Sequence, residues 1–160
     1  MLRLASSLTI TGLNGDTDII YLVYAKIMKD GTAAFPRMRV NSDSSSNYAW
    51  ATFGYDRTGS GVGGSDSDTE IHLDKETSGE GVLANTPFNG VYHIFAKSGA
   101  GARRIIGDTV WRRSTAILTK RSLAAEWLDT TTNLTEIDFR STSGNIGGAG
   151  TFIRVYRVTD

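Results

Sequence analysis

The chain has no cysteine, only two histidines and only two prolines, Pro36 and Pro87. Without cysteine, a disulfide scaffold and a thiolate zinc site are excluded, and the redox compartment leaves no mark. His72 and His93 are too few for a histidine-built metal centre. No apolar run approaches the roughly 18 residues of a membrane span. The opening Met1-Leu2-Arg3-Leu4-Ala5-Ser6 lacks the apolar core of a signal peptide. Net charge is zero. Non-specific nucleic-acid binding needs a surplus of cations to release counterions, so neutrality argues against it. Neither a membrane nor a nucleic acid is an expected partner.

What remains is 160 residues, about a third of them Gly, Ser or Thr. That length suits one domain, 1–160, with a core that needs no metal or disulfide staple. Period-2 alternation and polar turns predict strands near 8–13, 18–28, 35–41, 48–55, 69–74, 90–98, 103–107, 109–119, 133–140 and 150–158. The expected fold is all-β, an antiparallel β-sandwich of jelly-roll-like form, because no long helical pattern alternates with the strands. One short helix is expected near 122–128. There Ser122 can cap, and Leu123, Ala124, Trp127 and Leu128 make an apolar stripe.

Both ends of the chain are written as strands that suit one sheet. With the first strand opening near residue 8 and the last closing at 158, no room is expected for a tail, a lid, an attachment segment or a second domain. The terminal strands are expected to supply core residues: Ile20, Leu22 and Tyr24 or their alternates, with Phe152 or Ile153, Val155 and Val158. The run 19–23 is apolar on both faces, which implies cover by a sheet on one side and a partner on the other. Residues 1–80 carry 7 basic and 11 acidic side chains, residues 81–160 carry 10 and 6. Such halves could meet head to tail in an oligomer, although interleaved strands would erase the asymmetry.

Three polar loops stand out: 41–47, the Gly-rich 57–68, expected to be the most flexible, and 141–150, expected to be a long hairpin connection. Asp66, Asp68 and Glu70 alternate as calcium ligands can, but they lack the glycine turn and distal acid of an EF-hand, so a solvated loop is the simpler reading. Glu136 and Asp138 lie two apart on a predicted strand. Their spacing loosely fits a glycosidase pair, yet Leu134, Ile137 and Phe139 make theirs the solvent face. His93 has no nucleophile elbow or other hydrolase signature around it and reads as a hydrogen-bonded strand residue. Trp50, Trp111 and Trp127 read as core or interface before they read as a sugar platform. No catalytic set and no cofactor are expected.

Arg103-Arg104, Arg112-Arg113 and Lys120-Arg121 place six cations in nineteen residues. Adjacent strand residues point to opposite faces, so one of each pair is expected near the core edge or an interface. Ion pairing with acidic neighbours or subunits is the expected role, and Arg103, Arg104, Arg112 and Arg113 are the candidate interface residues.

Four segments carry a resemblance. They are Leu8-Thr9-Ile10-Thr11-Gly12-Leu13-Asn14-Gly15-Asp16-Thr17-Asp18, then Arg39-Val40-Asn41-Ser42-Asp43 with Asn47-Tyr48, then Ala96-Lys97-Ser98-Gly99, and Phe152-Ile153-Arg154-Val155-Tyr156-Arg157. Together they resemble the small β-sandwich structural proteins of tailed bacteriophages, across nearly the whole chain. The motifs mark turns and strand pairs, and the resemblance carries no catalytic residue with it. It implies a virion protein made in the host cytoplasm, most simply a capsid decoration (cement) protein on the outer capsid surface. Its implied partner is the major capsid protein, bound as a homo-oligomer, dimer or trimer, with residues 1–7 or the 57–68 loop ordering on the shell. The alternative is a tail-fibre or tail-tip module that binds a carbohydrate or receptor.

Overall fold

The computed structural model describes residues 5–29, 36–74, 82–97, 99 and 101–159. These fold as an all-β sandwich of two unequal antiparallel sheets. The strands are β1 (Ser7–Thr11), β2 (Asp18–Met28), β3 (Pro36–Val40), β4 (Tyr48–Asp56), β5 (Gly59–Asp68), β6 (Ile71–His72), β7 (Pro87–Phe95), β8 (Arg103–Arg112), β9 (Leu118–Trp127), β10 (Glu136–Ser141) and β11 (Phe152–Thr159). The small sheet runs β1-β10-β3-β6, and the large one β11-β2-β7-β8-β9-β4-β5. The N-terminal segment 1–4 lies outside the described residues.

The terminal strands β2 and β11 are neighbours, from Phe152 opposite Lys26 to Val158 opposite Ile20. The first strand, β1, belongs instead to the small sheet, beside β10. Strands of the acidic first half pair with strands of the basic second half at β2–β11, β3–β10 and β4–β9. The sequence asymmetry therefore does not divide the molecule.

Inward residues follow strict alternation. On β2 they are Tyr21, Val23, Ala25 and Ile27, the alternates of the Ile20-Leu22-Tyr24 set. On β11, Ile153 and Val155 pack against the core while Val158 stays exposed. Trp50, Trp111 and Trp127 are all buried, the core reading of the three.

Three expectations about local structure change. Residues 122–128 form no helix and belong mostly to β9, which buries Thr119, Arg121, Leu123, Ala125 and Trp127 at period 2. A place between β8 and β4 outweighs the helix propensity of Leu, Ala and Glu. The 57–68 stretch is largely strand β5, with only residues 57–58 left as a tight turn, because β4 offers a full ladder and glycine hinders no pairing. Residues 141–150 are not a hairpin, since β10 and β11 lie in different sheets. They cross between the sheets, and Ile146 bridges both Ala5 and Lys29.

Tyr92 shows how the core is fitted. Its ring is fully buried against Phe139, and a Cβ on Gly90 or Gly107 would fall within 2.6 Å of it. Those two glycines are the space the ring occupies. Its hydroxyl, however, finds no hydrogen-bond partner among the described residues. A buried unpaired hydroxyl costs about 1–3 kcal/mol. Tyr92→Phe is therefore expected to raise stability by about 1 kcal/mol, measured by urea denaturation. A loss of that size would mean the hydroxyl has a partner in the folded protein.

Candidate functional site

The outer face of the large sheet is covered by none of the described residues, and its side chains form four rows across the strands. One row runs Arg154, Tyr24, Val91, Asp108, Ser122, Phe53 and Val62, from β11 to β5. The next runs Tyr156, Leu22, His93, Ile106, Ala124 and Ala51, and Val158, Ile20, Phe95, Arg104, Glu126 and Ala49 follow it. On the other side lie Phe152, Lys26, Asn89, Val110, Lys120 and Tyr55.

Two apolar patches occupy this face. The larger spans β11, β2 and β7, reaching Ile106 on β8. Tyr156 is 52% exposed there and meets Tyr24 edge to face, rings 6.0 Å apart. The Arg154 guanidinium lies 5.8 Å from the centre of the Phe152 ring. Tyr24, Phe152 and Tyr156, with Lys26, Asn89 and Asp108, line a shallow groove of about 720 Å³. The second patch sits at the β5 edge, where Phe53, Tyr55, Leu118 and Val62 are exposed, Val62 by 62%. Isolated exposed apolar side chains need no explanation, but contiguous ones usually mark a contact surface.

A polar belt separates the patches. Arg104 pairs with Glu126 at 2.9 Å, and Lys120 with Asp108 at 3.1 Å. Ser122 also donates to Asp108 at 2.6 Å, and that bond lowers the Asp108 pKa against desolvation, with Lys120 adding to the lowering.

The four candidate arginines are not brought together. Arg103 is 1% exposed, so its side chain is enclosed by its own chain and does not reach a surface. Arg104 is on the outer face in the polar belt. Arg112 is exposed and donates to the Thr115 carbonyl, while Arg113 pairs with Asp56 at 3.0 Å. Arg112 stands opposite Leu118, next to the second patch.

Of the loop acids, Asp66 is exposed on β5, while Asp68 and Glu70 are held by neighbours. Glu70 lies 3.5 Å from Arg37 and 3.4 Å from Arg39, and Asp68 accepts from Trp50 Nε1 and pairs with His72. No cluster that could hold a metal ion occurs among the described residues. Glu136 and Asp138 do share a face, but Asp138 is 5% exposed and not solvated. It is flanked in register by Thr9 and Arg39, accepts from Thr9 Oγ1 at 3.1 Å and pairs with Arg140 at 3.4 Å. Burial raises its pKa. Glu136 accepts from Ser42, so the two carboxylates face neighbours and not a common ligand. His93 is a strand residue as expected, but its ring is exposed on the outer face and makes no hydrogen bond among the described residues.

A second polar group lies inside the sandwich. Asp74 is fully buried and accepts from Arg37 Nη1 at 2.6 Å. Desolvation pushes its pKa up to about 7, against the pull of Arg37 and Arg121. It lies in the interior between the sheets and lines none of the surface grooves.

The sequence held one signal for the outer face, the two-sided apolar run 19–23. The signal at Phe152, Tyr156 and Val158 was hidden because Ile153 and Val155 between them are also apolar. Comparison with known proteins adds nothing further: no family model, curated protein or solved structure matches this chain.

Proposed function

We propose that this chain is a non-catalytic docking module, a capsid decoration protein that binds the assembled lattice of a tailed bacteriophage. The observation that carries the docking reading is the open apolar face of the large sheet. The phage setting is supported by the four resembling segments alone. The shell contact is assigned to the β5 corner. Phe53, Tyr55, Leu118 and Val62 supply an apolar centre there, and Arg57 and Arg112 supply an exposed cationic rim. Such a corner fits a protein surface with an apolar patch ringed by carboxylates, since guanidinium groups pair bidentately with carboxylates and favour interfaces. Binding to the lattice but not to free subunits would stabilise the shell by mass action.

The test is co-sedimentation with expanded capsids that lack decoration. The wild type is expected to pellet with them, and Phe53→Asp with Tyr55→Asp to lose binding at least about tenfold with an unchanged denaturation midpoint. Arg112→Glu with Arg113→Glu should weaken it similarly at low salt. Unchanged decoration by both double variants would remove the corner. No capsid binding by the wild type, with retention by tail fractions, would move the protein to the tail. That second reading is favoured by one observation: the groove on the larger patch places aromatic rings beside Asn89, Asp108 and Arg154, a chemistry suited to a sugar. Specific capture on a glycan array would select it.

A further inference from the structure

The larger apolar patch is separate from the β5 corner, and its charges are self-complementary. We propose that the chain forms a symmetric homodimer in which the outer face of β11, β2, β7 and β8 packs on the same face of a second copy, Arg154 of each copy pairing with Asp108 of the other. This deepens the reading above by naming the surface of self-association, and its test needs no capsid.

The argument is the pattern of rows. A two-fold axis lying along the strands, between β2 and β7, keeps each row in place and exchanges β2 with β7 and β11 with β8. In the row Arg154, Tyr24, Val91, Asp108, it sets Arg154 against Asp108 at both ends and Tyr24 against Val91 in the middle. In the neighbouring rows Tyr156 meets Ile106, Phe152 meets Val110, and Ile20 meets Phe95. Lys26 meets Asn89 and Arg104 meets Val158, so no like charges are opposed.

Other axes do worse. Moving the axis to between β7 and β8 sets Lys26 against Lys120 and Asp108 against Val91. An axis across the strands opposes Arg154 to itself, or Asp108 to Ile106. The chosen axis also gives Arg154 a carboxylate, which it lacks among the described residues of its own chain. Asp108 has room to accept it, being 54% exposed beside Lys120.

The arrangement tolerates sheet twist. Packed sheets cross at about 30°. Arg154 lies about one and a half strand spacings, roughly 7 Å, from the axis, so that crossing moves it by about 4 Å, within the reach of an arginine side chain. The area is also sufficient. Four strands at about 4.8 Å and four rows at about 6.8 Å cover roughly 500 Å² on each copy. That reaches the roughly 1,000 Å² total expected of a specific interface.

Sedimentation velocity on the full chain tests this. The wild type is expected to be a dimer at micromolar concentration. Tyr156→Asp should give a monomer with an unchanged circular-dichroism spectrum. Arg154→Asp and Asp108→Arg should each weaken the dimer at least about tenfold, and the double swap should recover most of that loss. A monomeric wild type, a dimer indifferent to Tyr156→Asp, or a double swap no better than either single change would overturn the proposal. So would a monomer that takes up a glycan on this face. A monomer that still decorates capsids would remove the dimer alone, and a dimer that binds no capsid would remove the decoration reading alone.

Discussion

Replacing Arg103 with alanine is expected to lower folding stability by about 3–5 kcal/mol, the scale of stripping a buried charge from its partners. The guanidinium of Arg103 sits at the large sheet's end and ties the backbone of the β7 end to the loop that follows β9. It donates to the carbonyls of Asp129 and Thr132 and, from Nε, to that of Ala96 at 3.3 Å. It also lies over the ring of buried Trp127, 4.9 Å from its centre. Truncation would remove three charge-assisted hydrogen bonds, the one to Ala96 buried and the two to Asp129 and Thr132 half-buried, at up to about 1.5–3 kcal/mol each, and would remove the cation from the indole face. Arg103→Lys should recover only part of this, because an ammonium cannot present the guanidinium fork to two strands of loop at once. The adjacent Arg104 is the control. Its side chain is 72% exposed and pairs with Glu126, so Arg104→Ala should stay within about 0.5 kcal/mol of the wild type. Urea denaturation of the three variants decides the matter. Arg103→Ala within about 1 kcal/mol of the wild type would show that the arginine does not hold that end of the sandwich.

Arg103 and Arg104 also mark what the sequence made legible. Strand alternation alone implies that two adjacent arginines point to opposite faces, and the structure turns one in and one out. It could not say which, because phase depends on where the strand joins the sheet. Strands β2, β3 and β4 were readable to within about a residue, because polar turns bound each of them, although the phase of β2 was not, since 19–23 is apolar on both faces. The 122–128 segment was not. Leu123 and Trp127 fit a helical stripe and a strand face equally well, and the deciding members of the buried set, Thr119 and Arg121, are polar. The β5 segment was hidden for the opposite reason: its glycines show no alternation at all. The outer apolar face was half legible, since 19–23 revealed an apolar second side on β2. The rows that join it to β11 and β7 exist only through strand pairing between residues more than sixty positions apart, and β8 enters them through its pairing with β7.

Asp43→Ala is expected to cost about 2–4 kcal/mol at neutral pH, and this deficit should shrink in acid. Asp43 lies in the crossover from β3 to β4, just after Asn41 and Ser42, which both hold positive φ near 50°. That conformation is costly for residues with a Cβ, so the turn needs outside support. The carboxylate provides it by accepting from Ser45 N at 2.9 Å, from Asn47 Nδ2 at 3.0 Å, and from Trp127 Nε1 at 2.9 Å. Trp127 is 1% exposed, so alanine would leave a buried indole N–H unpaired as well as freeing the turn. Asn at the same position could keep one or two of these bonds and should cost about half as much. Desolvation opposes ionisation here, but the hydrogen bonds from Ser45 and Trp127 prevail and hold the carboxyl at about 2. An unfolded Asp titrates near 3.9. The folded pKa is depressed, so the contribution of this group is complete above about pH 4 and is lost as pH falls through about 2. Wild type and Asp43→Ala should therefore converge between pH 4 and pH 2, read as the gap between their urea midpoints. A gap that holds constant over that range would mean that Asp43 contributes nothing specific to its charged form.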